Sequence, residues 1–269
     1  MIRWVIALVF LGLVGCAPQQ HSLPKTSVAT TVAKPEASRA PAAVAHARFD
    51  WNMVVDGRRV RVHVVAPNTP PPWPTVMLLH GASGLGRGFM VWPVANALAE
   101  RGVAAAVVRY FDAMPASVKR KGAIPYFQLR ERQLSNMVDQ LLVRPEVMGP
   151  ELAVYGYSLG AFHGLGMAAT DPRIAAVVAL AGGLPRNVPA SAVERAAPVM
   201  LVHGTRDRIV PYARTREAEA VWRHYGRPVS VMKLKNTGHV PRPADRKKMA
   251  NLAADFLAKE LQLQVAELP

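Results

Sequence analysis

Apolar and polar positions change rhythm along this chain, and the changes mark its elements. Phe49 to Val55 and Arg58 to Val65 are extended runs joined by Asp56-Gly57, the residue pair that a two-residue hairpin turn takes. Further on, Thr75 to Leu79 and Ala104 to Val108 are short, almost wholly apolar runs without polar alternation, the pattern of strands buried on both faces. Leu152 to Tyr155, Ile174 to Leu180, Val199 to His203 and Val229 to Leu234 add four more strands. Between the strands the period becomes helical. Met90 to Glu100 has helical character, and Gln128 to Val143 repeats apolar residues at Leu134, Met137, Val138, Leu141 and Leu142. Leu159 to Ala169, Arg214 to His224 and Pro243 to Leu261 complete the helices. An antiparallel hairpin followed by βαβ units predicts an α/β fold, a mostly parallel sheet covered by helices on both faces. Its ligand site is expected at the carboxyl ends of the strands. Four loops leave those ends, at residues 80–88, 109–126, 204–212 and 235–242.

The strand ending at Tyr155 runs into Gly156-Tyr157-Ser158-Leu159-Gly160, which places a serine on a glycine-flanked strand-to-helix turn, a nucleophile elbow. A side chain at 156 or 160 would clash in so tight a turn, and the serine at its apex must take a strained backbone conformation. A bare G-x-S-x-G also describes an ordinary glycine-rich turn, and the context decides between the two. Asp207 lies just beyond the strand Val199 to His203, in His203-Gly204-Thr205-Arg206-Asp207-Arg208-Ile209-Val210-Pro211, and His239 follows the next strand in Asn236-Thr237-Gly238-His239. A lone loop aspartate is more often a turn residue, and a lone loop histidine is often just exposed. Their joint order and strand-end placement favour a triad. A serine hydroxyl is a weak nucleophile until an imidazole takes its proton, and the imidazole needs a carboxylate to hold its tautomer and stabilise its charged form.

With these residues quoted, the stretch from about 50 to 262 resembles the α/β-hydrolase superfamily, and within it the dienelactone hydrolase-like group of compact esterases. His-Gly-x-x-Asp-x-x-Val-Pro and Gly-His resemble the superfamily's acid and histidine loops. The resemblance implies Ser158 as nucleophile, His239 as base and acid, and Asp207 as the group orienting His239. It implies an oxyanion hole made by the backbone N–H groups of Leu159 and, within His80-Gly81-Ala82-Ser83-Gly84, of Ala82, with His80 bracing the loop. The nearness to the subgroup rests on length, on Val108-Arg109-Tyr110-Phe111-Asp112 and on the Gly-Tyr-Ser-Leu-Gly-Ala elbow. Typical dienelactone hydrolases carry a cysteine nucleophile and a glutamate after the early strand. Here Ser158 and Ala82-Ser83 stand in those places, which favours cleavage of general carboxylic esters.

No insertion leaves room for a large cap. Tyr110, Phe111, Met114, Tyr126 and Phe127 either wall the substrate pocket or pack under the 109–126 loop. Arg109 and Lys119-Arg120-Lys121 either hold an acidic substrate group or form a solvated run, the commoner use of such a cluster.

The N-terminus carries a second kind of signal. Arg3 is followed by the apolar stretch Trp4 to Val14 and by Leu13-Val14-Gly15-Cys16. That stretch is shorter than the roughly 20 residues a membrane-spanning helix needs. Leu-Val-Gly-Cys resembles the lipobox of bacterial lipoproteins. The resemblance implies a signal peptide over residues 1–16, diacylation of Cys16 and a membrane partner, with sorting to the outer membrane because Ala17 follows; the alternative is a plain secretion signal. Cys16 is the one cysteine in the chain, so no internal disulfide can form. Residues 17–47, rich in Ala, Pro, Thr, Ser and Gln, read as a disordered tether, and residues 48–269 as the hydrolase domain.

The net charge of +15 invites a nucleic-acid reading. The arginines are scattered, however, and no basic stripe interleaves with aromatics, so no nucleic-acid partner is expected. An envelope protein faces anionic lipid instead. The eight histidines show no paired ligand spacing, so neither metal nor cofactor is expected. The leading expectation is an envelope-anchored serine hydrolase cleaving small to medium carboxylic esters through an acyl-enzyme, with a small-molecule ester as partner. Two alternatives stand beside it. A prolyl-oligopeptidase-like peptidase shares the fold, but its propeller is lacking. A non-catalytic envelope interaction protein would not need an intact triad.

Overall fold

The computed structural model describes residues 46–115 and 126–266; the proposed signal peptide, Cys16, nearly all of the tether and the Lys119-Arg120-Lys121 cluster lie outside them. Eight strands form one sheet in the order β1-β2-β4-β3-β5-β6-β7-β8. β1 (Ala47–Val55) and β2 (Arg58–Ala66) are the expected antiparallel hairpin, and Asp56 and Gly57 both take positive φ, as its tight turn requires. β2 pairs antiparallel with β4 (Ala104–Val108), and every later pairing is parallel. β3 (Thr75–Leu79), β5 (Leu152–Tyr157) and β6 (Ile174–Leu180) are buried at every residue, as their unbroken apolar sequences predict. β7 (Val199–Gly204) is nearly so. β8 (Val229–Leu234) closes the sheet at an edge, and only Leu234 in it is fully buried.

Among the described residues, five helices cover the sheet: α1 (Trp92–Ala99), α2 (Phe127–Leu142), α3 (Leu159–Thr170), α4 (Ala213–His224) and α5 (Pro243–Ala266). Two apolar cores result, one on each face. One includes Trp51, Leu79, Leu134, Leu165 and Trp222, the other Leu78, Leu98, Tyr155, Leu180 and Leu257. At about 25 cal/mol for each Å² of apolar surface withdrawn from water, these two layers are the main force closing the fold.

The expected helix from Met90 is shorter than the pattern suggests. Residues 84–90 form a tight 3₁₀ segment and α1 starts at Trp92, with Pro93 at a first-turn position where its missing N–H costs nothing. The 3₁₀ turns Tyr110–Ala113 and Ala190–Arg195 interrupt segments that the sequence leaves as loops. β5 runs two residues beyond Tyr155, carrying the chain straight into the serine turn.

Candidate active site

The loops after β3, β5, β7 and β8 converge at the carboxyl end of the sheet, where residues far apart in sequence meet. Ser158 sits between β5 and α3 with φ 54° and ψ −115°, a conformation that non-glycine residues rarely adopt. The turn is held by its neighbours. The Ser158 amide donates to the Leu180 carbonyl at 2.8 Å, and the Ser158 carbonyl accepts from the amides of Ala161 and Phe162. Both flanking glycines are sterically required. A Cβ on Gly156 would stand 2.2 Å from the Gly160 carbonyl oxygen, and one on Gly160 would stand 2.4 Å from that of Leu79.

His239 Nε2 lies 2.9 Å from Ser158 Oγ, and its Nδ1 lies 2.7 Å from Asp207 Oδ2. A carboxylate only accepts hydrogen bonds, so the proton sits on Nδ1 and the Nε2 lone pair faces the serine hydroxyl. The three expected residues therefore form one continuous proton path. Asp207 is buried and fully bonded. Its Oδ1 accepts from the amides of Ile209 at 2.8 Å and Val210 at 2.9 Å. Burial alone would raise this carboxyl; the bonds from His239, Val210 and Ile209 outweigh it and hold the group below its usual range. The acid and histidine loops are tied together as well: Arg206 N donates to Thr237 O at 2.8 Å, and Asn236 N to Thr205 Oγ1 at 3.0 Å.

Sequence reasoning missed a second imidazole on the acid. His203, the last residue but one of β7, is buried, and its Nε2 lies 3.0 Å from Asp207 Oδ2 and 2.9 Å from the Val210 carbonyl. Both partners are acceptors, so this nitrogen carries the proton, and Nδ1 accepts from the Thr215 hydroxyl at 2.6 Å. Burial pushes the His203 pKa down and keeps the ring neutral. The signal was in the sequence, in the histidine four residues before the acid, but nothing there says that the loop folds back on it.

His80 does brace its loop. It is buried, stacks on Tyr110 with centroids 4.2 Å apart, and its carbonyl accepts from the Tyr110 hydroxyl at 2.7 Å. Burial lowers its pKa to about 4, so it is neutral in ordinary buffers.

Ala82, Leu159 and Ser158 all line one cleft of about 610 Å³, so the two residues expected to supply oxyanion donors share the serine's cleft. Leu159 opens α3, where the first amides have no partner within the helix. Phe127, Phe162, Pro185 and Ile209 give the cleft an apolar wall, with Arg186 and Arg214 at its margin. Of the aromatics considered for that wall, Phe127 does line it. Tyr110 and Phe111 pack instead against His80 and each other, and Met114 is buried. The reason is the 3₁₀ turn at 110–113, which tucks the rings beneath the loop. Arg109 is engaged by Asp112 at 3.0 Å. Phe162 and Arg214 were not anticipated, because which helix residues face the cleft depends on the phase with which α3 and α4 meet the sheet.

Comparisons with known proteins agree with this architecture. The profile of the dienelactone hydrolase family matches residues 60–265. The structure is similar to that of a dienelactone hydrolase-like promiscuous phosphotriesterase from metagenomic libraries, at 22% identity and a TM-score of 0.68, over 81% of this chain and 99% of that one. It is similar to a dienelactone hydrolase from Anabaena variabilis, at 20% identity and a TM-score of 0.65, over 78% and 96%. Est1E from Butyrivibrio proteoclasticus aligns at 17% identity and a TM-score of 0.62, over 79% and 99%. At these identities the likeness shows the fold, an α/β-hydrolase fold. No curated protein matches the chain by sequence.

Proposed function

This chain belongs to the dienelactone hydrolase family, and we propose from that premise that it is a serine hydrolase of small to medium carboxylic esters. The observation that carries the reading is the unbroken path from Ser158 Oγ through His239 to Asp207, with links of 2.9 and 2.7 Å, opening into an apolar cleft. Ser158 Oγ attacks the ester carbonyl carbon while His239 Nε2 takes its proton, and Asp207 stabilises the imidazolium that results. The tetrahedral oxyanion is received by the amides of Leu159 and Ala82. As the intermediate collapses, His239 returns the proton to the departing alcohol, leaving an acyl group on Ser158. Water then attacks that acyl carbon by the same proton transfers in reverse, releasing the acid and restoring the serine.

The test is labelling with a fluorophosphonate probe, followed by turnover of p-nitrophenyl esters of increasing acyl length. Ser158→Ala is expected to abolish labelling and to lower turnover by at least about a thousandfold. Thermal stability should hardly change, because the hydroxyl supports no core packing. Labelling that survives in the variant would disprove the assignment.

The reading extends to location. Leu13-Val14-Gly15-Cys16 supports acylation of Cys16, which tethers the domain to the envelope through residues 17–47. Two acyl chains, at about 0.8 kcal/mol per buried CH₂, hold a protein at a membrane essentially permanently. Mass spectrometry of the mature N-terminus checks this: a diacylated Cys16 is expected, and an unmodified terminus beyond it reduces the motif to a secretion signal.

A further inference from the structure

We propose that the catalytic end of the molecule is a docking surface for anionic lipid, so that Ser158 works against a membrane interface. This deepens the ester hydrolase reading and rests on it. Four segments leave the carboxyl ends of β3, β6, β7 and β8: residues 80–90, 181–189, 205–212 and 235–242. They carry Arg87, Arg186, Arg206, Arg208, Lys235 and Arg242 against Asp207, which is buried and bonded to two histidines, and the segment after β4 adds the mutually paired Arg109 and Asp112. Only Arg242 of the six is in an ion pair, with Asp245. The other five are exposed and, among the described residues, pair with no carboxylate.

The opposite end of the parallel strands is built otherwise. There Glu100, Glu146, Glu151, Asp171 and Glu194 stand against Arg101, Arg144, Arg173, Arg195 and Arg227. Several of these are neutralised in pairs: Arg144 with Glu146, Arg173 with Asp171, and Arg101 with Asp255. Of the two ends of the parallel strands, the site end is thus the one with a net positive charge.

Exposed apolar side chains stand beside these cations. Ile209, next to Arg208, is 71% exposed and lines the cleft with Phe127, Phe162 and Ser158, and Phe89, two residues after Arg87, is 37% exposed with the Arg246 guanidinium 4.4 Å from its ring. Exposed apolar side chains beside unpaired cations match a bilayer interface, where acyl carbon lies beneath a layer of phosphates. A soluble polyanion gives Ile209 nothing to bury against. The lipid surface is therefore the occupant that uses both features.

The experiment is vesicle co-sedimentation of the full chain carrying Cys16→Ser, so that no acyl chain holds it. Partition onto phosphatidylcholine vesicles containing phosphatidylglycerol should exceed that onto phosphatidylcholine alone by about a hundredfold or more. Each basic residue near an anionic surface contributes roughly fivefold to partition, so the triple variant Arg87→Ala/Arg208→Ala/Lys235→Ala should lose about a hundredfold. The equally charged triple Arg195→Ala/Arg227→Ala/Lys259→Ala, at the other end, should lose far less. Ile209→Ser should weaken binding at unchanged charge. Equal partition onto both vesicle types, or equal loss by the two triples, overturns the proposal. So does a neutral Ile209→Ser with equally tight binding to dextran sulfate, which would make the face a general polyanion site. Fluorophosphonate labelling in solution separates the two readings, since both triples should label like the parent. Vesicle results as expected without any labelling would leave the docking surface standing and remove the hydrolase.

Discussion

Asp207 shows how much of a site is decided by individual protons. Each of its oxygens accepts two hydrogen bonds, from two amides on one side and two imidazoles on the other, which fixes the plane of the carboxylate and hence the direction of His239. His203 contributes to this through the proton on its Nε2. Two further histidines are held neutral by burial: His80, lowered to about 4, and His163, lowered to about 3 with Arg130 opposing its protonation next. The consequence for stability has a definite sign. In the unfolded chain a histidine takes a proton below about pH 6.5, whereas these remain neutral in the fold, so acidification favours unfolding. Their contribution is complete above pH 6.5 and is lost progressively as pH falls towards 4 for His80 and towards 3 for His163. Each pH unit in which one such ring is charged only when unfolded costs about 1.4 kcal/mol. The urea midpoint should accordingly fall steeply from pH 6.5 to 4, and His163→Gln should show a shallower fall. Parallel profiles for the two proteins would mean that His163 titrates normally.

At the level of elements, the sequence was most legible where one physical cause dominated. Almost wholly apolar five- to seven-residue runs became the inner strands, Asp56-Gly57 became the hairpin turn, and the glycines around Ser158 stand where a Cβ would strike backbone. Short 3₁₀ turns were not legible, since a pattern of period three over four to seven residues carries too few positions to distinguish it from a loop or a longer helix. Arg130 is instructive. It is four residues before Leu134 on the buried stripe of α2, so a charged residue stood at an apolar phase, and the structure buries it with Nε 3.3 Å from His163 Nε2. The triad was readable because its members sit at strand ends in a fixed order. His203, Phe162 and Arg214 were not, because their roles depend on how loops and helices settle after the sheet has formed.

For the whole molecule, the order of strands matters as much as their number. Ser158 follows β5, flanked on both sides by buried strands, while Asp207 and His239 follow β7 and β8 at the margin of the sheet. β8 has a neighbour on one side only and buries little of itself, so its opening exposes few apolar contacts and breaks one ladder. The histidine is thus carried by the most weakly held strand and the serine by one of the most firmly held. Catalytic competence should therefore fail before the fold does. In rising urea, labelling of Ser158 should disappear at a lower concentration than the far-ultraviolet dichroism, and amides of β8 should exchange with deuterium ahead of those of β5; a single coincident transition would show the sheet to open as one unit. A hydrolase built this way has a local fuse: a brief excursion at its edge silences the serine and, on closing, restores it, with the two cores undisturbed.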